Sequence, residues 1–402
     1  MKKNKLLIPY LFFILVYANQ GLSSLPGQCI YYLTREHWGL SASMIGLVSL
    51  ITGLAWYIKP LWGFLIDYCP IKKYRAKYYL WGSYSMLLLL YGAIITFGLN
   101  LWTLIISGLL INICIGVNDV ANDSQMVIYE QKYKLQGKLQ AIQWTSLGFA
   151  GLFVALAGAW IADYFPEHIN YKVAYSIMAI MPIITLLYLK LGYKEKPIKK
   201  TKKPRGVWKD FAKLKNKQIA LSLLFIACLQ MCPNFGLALR IRAREGLMVS
   251  KMFLGYLGAT GTVLGIIGYM LYYWKFHKFP MKKLLYFMVI FSAVTNLFYL
   301  YIPNQWFLFG YNIAFGAFSG ITFLTLLAFF ASLVPKGSEG MIYAVVSSIS
   351  NFCAKGENWF GGMIYDNWGY NTNVIISTLL TLACLCFIPK LRIKNEIDNS
   401  GK

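Results

Sequence analysis

Twelve apolar runs recur along the chain, each long enough to cross a bilayer as a helix, and no other feature constrains the fold as much. A run of about 18 or more apolar residues reads as a membrane-spanning helix. The runs lie at about 6–33, 41–66, 78–98, 101–130, 137–163, 171–191, 218–241, 250–274, 281–302, 304–334, 339–365 and 371–390, numbered spans 1 to 12 below. Only 13% of the 402 residues are charged, against about a quarter in a soluble protein of this length. The short alternating segments of a membrane β-barrel do not occur. The expected class is an all-α membrane protein. Because the first run starts at residue 6, no cleavable targeting segment is expected ahead of it.

The net charge of +24 would suit nucleic acid, but its distribution points to a lipid bilayer. With the N-terminus in the cytoplasm, most of the 39 Lys and Arg fall in cytoplasmic segments, the positive-inside bias of an even number of spans. Both termini are then cytoplasmic, in a cell (plasma or inner) membrane, and no nucleic acid is expected as a partner. Arg240, Arg242 and Arg244, at the outer end of span 7, are the discordant patch. Eight cysteines are scattered without zinc or disulfide spacing, and the three histidines (His37, His168, His277) lie in loops or at span ends. No metal site, no cofactor and no nucleotide-binding P-loop is expected. A membrane enzyme would need a nucleophile–base or metal set within the spans. None is visible, so catalysis is not expected.

The longest hydrophilic stretch, residues 194–217, is dense in Lys and Pro and divides the chain into halves at 1–193 and 218–402. The halves repeat each other. Pro26 followed by REHWGL (35–40) in span 1 matches Pro233 followed by RAREGL (242–247) in span 7. Gly137, Gly158 and Asp163 of span 5 match Gly340, Gly361 and Asp366 of span 11 at nearly the same offset. An even number of spans per half gives both halves one orientation, which describes the twelve-helix major facilitator fold of two parallel six-helix halves. By analogy of fold, spans 1, 4, 7 and 10 line a central cavity.

Residues 55–79 carry the strongest local signal. Gly63 and Asp67, then Lys73 and Arg75, are similar to the span 2–3 loop motif of major facilitators. The fuller string Ile58-Lys59-Pro60, Gly63, Asp67, Pro70-Ile71 and Tyr74-Arg75 resembles the folate–biopterin transporter family. Further similarity lies in NDVANDSQMVIYE (118–130), in Leu139-Gln140 with Trp144, in Pro280 with Lys282-Lys283, and in Glu339-Gly340, Ala344, Ser347 and Asn351-Phe352. The resemblance implies a secondary transporter of folate, biopterin or another pteridine, in symport with protons. Departures are Asn118, Asn122, Ser124 and Gln125, which make span 4 more polar, and the charges Lys355 and Glu357. These would suit another polar metabolite, S-adenosylmethionine-like, and AGLFVALAGAWIAD (150–163) also resembles the muropeptide permeases. A transport-inactive membrane receptor is the remaining alternative.

Asp119 and Asp123 stand four residues apart on one face of span 4, with Asn122 nearby. Each intramembrane acid costs roughly 2.5–3.5 kcal/mol on insertion scales, and such residues mark transport paths. Lys59 lies at a similar depth, so a packing ion pair with Asp119 and a substrate or proton site are both open, and compatible. One carboxylate can accept both adjacent N–H donors of a pterin's 2-amino-4-oxo edge. Lys355 and Glu357 are further candidates for substrate or proton binding, with Arg240 a structural partner for Glu357. Gly63, Asp67, Lys73, Arg75 and Glu130 are assigned to an inner gate, where Asp67 can hold the cationic loop or cap a helix N-terminus.

Overall fold

The computed structural model describes residues 4–133, 138–193, 195, 197, 216–333 and 339–391. These are α-helical with short 3-10 and π turns, and among them the one β-type pairing is an isolated bridge between Ile71 and Tyr74. Among the described residues, eight helices are long and apolar enough to cross a membrane. Several of the twelve runs are joined or cut in the structure. Spans 11 and 12 run on as Glu339–Ala383, broken at Gly369, whose φ is +79°. Spans 1, 2 and 7 are each interrupted.

The interruptions have local causes. Proline has no N–H to donate, and its ring clashes with the carbonyl four residues back. Span 7 therefore stops at Gln230, passes Pro233, and resumes as Gly236–Ile241. Span 1 stops at Leu22 and resumes after Pro26 as Gly27–Tyr32. Each then ends in a π-helical turn, Leu33–His37 and Arg242–Gly246. The sequence repeat is thus a repeat of broken helices. Span 2 is cut into Ala42–Thr52, Leu54–Tyr57 and Lys59–Tyr68, with Pro60 in the first turn of the last piece. A proline is tolerated there because first-turn N–H groups have no helical acceptor.

Residues 1–38 and 51–205 form one compact unit, and residues 39–50 and 206–402 a second. In the first unit span 1 packs along span 5, and span 3 along spans 4 and 6. Its core includes Phe12, Phe13, Leu80, Tyr84, Tyr91 and Tyr175. In the second, Phe225, Val289, Phe329, Val346 and Ile388 form one cluster. Lipid supplies no hydrophobic drive between helices, so small residues that allow close backbone contact do the work. A Cβ on Gly268 of span 8 would collide with the Ala317 carbonyl of span 10, and one on Gly320 with the Gly265 carbonyl. Asp366 of span 11 accepts the N–H groups of Ala42 (3.1 Å) and Ser43 (2.8 Å) at the start of helix 42–52.

The duplicated glycines serve the breaks. A Cβ on Gly158 would stand 3.1 Å from the Leu25 carbonyl, beside the span 1 break. One on Gly361 would collide with the Asn234 carbonyl, in the span 7 break. Gly361→Ala is therefore expected to lower stability by about 1–3 kcal/mol, as overpacking does. Gly151→Ala, which meets nothing within 4 Å, serves as the control and is expected to be neutral or stabilising. Thermal unfolding of the purified variants checks both; equal melting temperatures would show that span 11 has room to move.

Candidate functional site

Span 4 runs unbroken from Leu101 to Tyr133, so its polar residues keep a helical register, and they face neighbours in the first unit. Lys59 Nζ lies 2.5 Å from Asp119 Oδ2, with the Asp119 side chain 5% exposed and that of Lys59 23%. The break at Ile58 (φ −103°, ψ 23°) sets Lys59 as the first residue of a new helix. The ammonium also stands 5.2 Å from the centre of the Trp56 ring, which favours a cation over its face. Trp56 is held in turn, donating from Nε1 to Asn112 Oδ1 at 2.9 Å. Asn112 donates to the Gly108 carbonyl at 2.8 Å. Gly116 leaves room for Trp62, whose Nε1 donates to the Ala55 carbonyl.

Asp123, one turn on, has a different partner. Tyr17 of span 1 donates its hydroxyl to Asp123 Oδ1 at 2.9 Å. Asn122 is fully buried, and neither polar atom of its amide has a hydrogen-bond partner among the described residues. Asn118 accepts from Ser83 of span 3. Two carboxylates thus share one helix face, and the Lys59 ammonium pairs with the first of them.

The loop after span 2 is a tight turn. Lys72 and Lys73 both have positive φ (48° and 68°), and Tyr74 N–H returns to the Ile71 carbonyl at 2.9 Å. Positive φ at both central residues is the type I′ geometry that favours Asn and Gly, so two lysines hold a strained loop here. Arg75 Nη1 lies 3.7 Å from Asp67 Oδ1, a loose pair with the Asp67 side chain 47% exposed. Of the two roles open to Asp67, the structure shows the contact with the cationic loop, and the helix cap is made by Glu195. Its carboxylate accepts the N–H groups of Arg75 (2.8 Å), Ala76 (3.2 Å) and Lys77 (2.8 Å) at the start of span 3. An anion placed there completes orphan donors and complements the helix dipole. Gly63 faces span 4, with Val120 in ordinary contact. The side chain of Glu130, and most of the 194–217 linker, lie outside the described residues.

In the second unit Glu357 takes its hydrogen bond from Asn234 Nδ2 at 2.8 Å, in place of the Arg240 partner expected. Asn234 is fixed by the span 7 break. Its N–H goes to the Glu357 carbonyl at 3.0 Å, and its Oδ1 accepts from Gly236 N–H at 2.6 Å. Gln230, at the other edge of the break, donates to Ser350 Oγ at 2.6 Å. Lys355, two residues from Glu357, is exposed and forms no ion pair within 4 Å among the described residues. No group of three or more metal-ligating side chains occurs among the described residues.

Sequence reasoning brought Lys59 and Asp119 to one depth, and the structure joins them. It missed Tyr17, Glu195 and Asn234. Pro233 was a signal for Asn234, since the residue after a helix break is free to turn its side chain sideways. Tyr17, one of 29 tyrosines, carried no such signal.

Comparison with known proteins places these features in a wider set. The model of the BT1 family matches residues 20–402. The folate-biopterin transporter of Synechocystis sp. is 24% identical over 423 residues, covering 96% of this chain and 83% of its own. Folate transporter 1 of Plasmodium falciparum is 24% identical over 409 residues, covering 94% and 77%. Among solved structures, the nucleoside transporter NupG superposes with a TM-score of 0.70 at 12% identity, covering 96% of this chain and 97% of that one. A D-xylose-proton symporter gives a TM-score of 0.69 at 15% identity, with 96% of each chain covered.

Proposed function

Since the chain belongs to the BT1 family and has the twelve-helix major facilitator fold of a multi-pass membrane transporter, not an enzyme, we propose that it imports a folate- or pterin-type metabolite by proton symport. The observation that carries this reading is the Lys59–Asp119 pair beside Asp123 on one buried helix face. One ammonium neutralises one carboxylate, and a single proton neutralises the other. Asp123, whose partner is a hydroxyl and not a cation, carries that proton. Asp119 exchanges Lys59 for the two adjacent N–H donors of the pterin edge, a bidentate arrangement that a carboxylate accepts well. Asn122 adds a donor and an acceptor to the same face. In the second unit Lys355 and Glu357 are further candidates for substrate or proton binding, with Lys355 suited to an anionic group. The protein sits in the plasma or inner membrane with both termini in the cytoplasm.

Gly63, Asp67, Lys73, Arg75 and Glu130 form an inner gate whose pairs favour the state closed to the cytoplasm, biasing a two-state equilibrium. Asp67→Asn is expected to shift the population inward-open and to lower turnover more than affinity. Labelling of a cysteine placed at Gly116, applied from the cytoplasmic side, reports the shift. Unchanged labelling and turnover would remove Asp67 from the gate. The substrate itself is tested by radiolabelled uptake of folate, biopterin, S-adenosylmethionine and a muropeptide in cells expressing the chain. Folate or biopterin should accumulate; uptake of only one of the other two would overturn the assignment.

A further inference from the structure

Beside Asp119 the first unit has a small, partly open cavity. Asn19 and Gln20 of span 1, Tyr84 of span 3, and Asn118 and Asp119 of span 4 line it, with Val16, Leu87 and Ile115 closing its apolar wall. The centre of a water-sized sphere has about 10 Å³ in which to move, close to what a single water needs. Asn19, Tyr84 and Asp119 are all at least nine-tenths buried, at 5%, 1% and 4% exposure. Among the described residues, Asn19 Nδ2, Gln20 Oε1 and Tyr84 Oη have no hydrogen-bond partner. Asp119 Oδ2 is close to Lys59 Nζ but poorly angled for a hydrogen bond, so it retains a lone pair to offer.

Leaving a buried polar group unmatched costs about 1–3 kcal/mol, and four of the residues lining this one small space each carry such an atom. Their chemistry selects the occupant. Asn19 Nδ2 and the Tyr84 hydroxyl donate, while Gln20 Oε1 and the Asp119 carboxylate accept. A metal cation would be repelled by the two donors, and an anion by the carboxylate. Water satisfies both sets with its two lone pairs and two hydrogens.

We propose that this cavity binds one water molecule, and that the water is Asp119's partner while Lys59 disengages. Resting on the transport reading above, this gives Asn19 and Tyr84 a role as positioning residues. When the ammonium leaves, a carboxylate in a dry site would stand unsolvated until substrate arrives. The bound water, held by Asn19 and Tyr84, already donates to it. Breaking the pair then exchanges one partner for another instead of exposing a bare charge.

X-ray hydroxyl-radical footprinting of the purified full chain, read by mass spectrometry, tests the water directly, since radicals form at bound water. Tyr84 is expected to oxidise at a rate comparable to Tyr301, which is 73% exposed, while buried Phe13, outside the cavity, stays inert. Asn19→Leu, close to isosteric, fills the site and should lower the Tyr84 rate about tenfold without changing that of Tyr301. An inert Tyr84, or an equal rate in Asn19→Leu, overturns the site. Tyr84→Phe should keep the fold and lower turnover about tenfold, equivalent to about 1.4 kcal/mol on the barrier, with substrate KM unchanged. Unchanged turnover in Tyr84→Phe overturns the role in the cycle. If footprinting finds the water but Asp119→Asn transports normally, the transport reading fails while the water site stands.

Discussion

Asp123→Asn is expected to abolish uphill accumulation of substrate while leaving expression and folding largely intact. Among the described residues, the carboxylate's hydrogen bond comes from the Tyr17 hydroxyl, and asparagine can accept that bond with its amide oxygen. Structure is thereby kept and the proton-binding group is lost. Exchange of substrate down its own gradient should continue, because loading no longer needs a proton. Tyr17→Phe removes the hydroxyl but not the acid, and should change the pH dependence of uptake without eliminating it. Normal accumulation by Asp123→Asn, with an unchanged pH profile, would move the proton to another group.

Neutralising one member of the Lys59–Asp119 pair should be far more damaging than neutralising both. A single substitution leaves an uncompensated buried charge, which typically costs about 3–5 kcal/mol. With the pair at 2.5 Å and the Asp119 side chain 5% exposed, Lys59→Met and Asp119→Asn should each unfold or mislocalise much of the protein. The double variant should recover folding but not transport, since the carboxylate assigned to the substrate is gone. A double-mutant cycle on thermal stability measures the coupling. Additive losses would show that the two charges do not depend on each other. Recovery of both folding and transport would make the pair purely structural.

Much of the fold was legible because its causes are local and repeated. Hydropathy placed the spans, and the matched prolines and glycines gave the two halves. The cut in span 7 at Pro233, and the restart of span 2 with Pro60 in its first turn, follow from a local rule for where proline can sit in a helix. The Lys59–Asp119 contact could be anticipated because residues per turn convert position into depth. Rotation about a helix axis could not be read the same way. Tyr17 sits in an apolar run, and nothing in that run shows which tyrosine turns toward span 4. Glu195 falls just past the expected domain boundary, in a stretch whose basic composition hid the one carboxylate that caps span 3. Glu357 was matched to an arginine by counting charges, whereas the backbone turn after Pro233 brings an amide to it.

Reconstituted proteoliposomes loaded to a higher internal pH than the bath, and given labelled folate or biopterin outside, test the central claim most directly. With the membrane potential clamped at zero, one proton carried with each substrate molecule should drive accumulation of about tenfold per pH unit, because each tenfold in concentration corresponds to about 1.4 kcal/mol. Asp123→Asn liposomes should only equilibrate. Accumulation that ignores the pH gradient, or no uptake of either compound by a folded, correctly inserted protein, would contradict proton-coupled pteridine import.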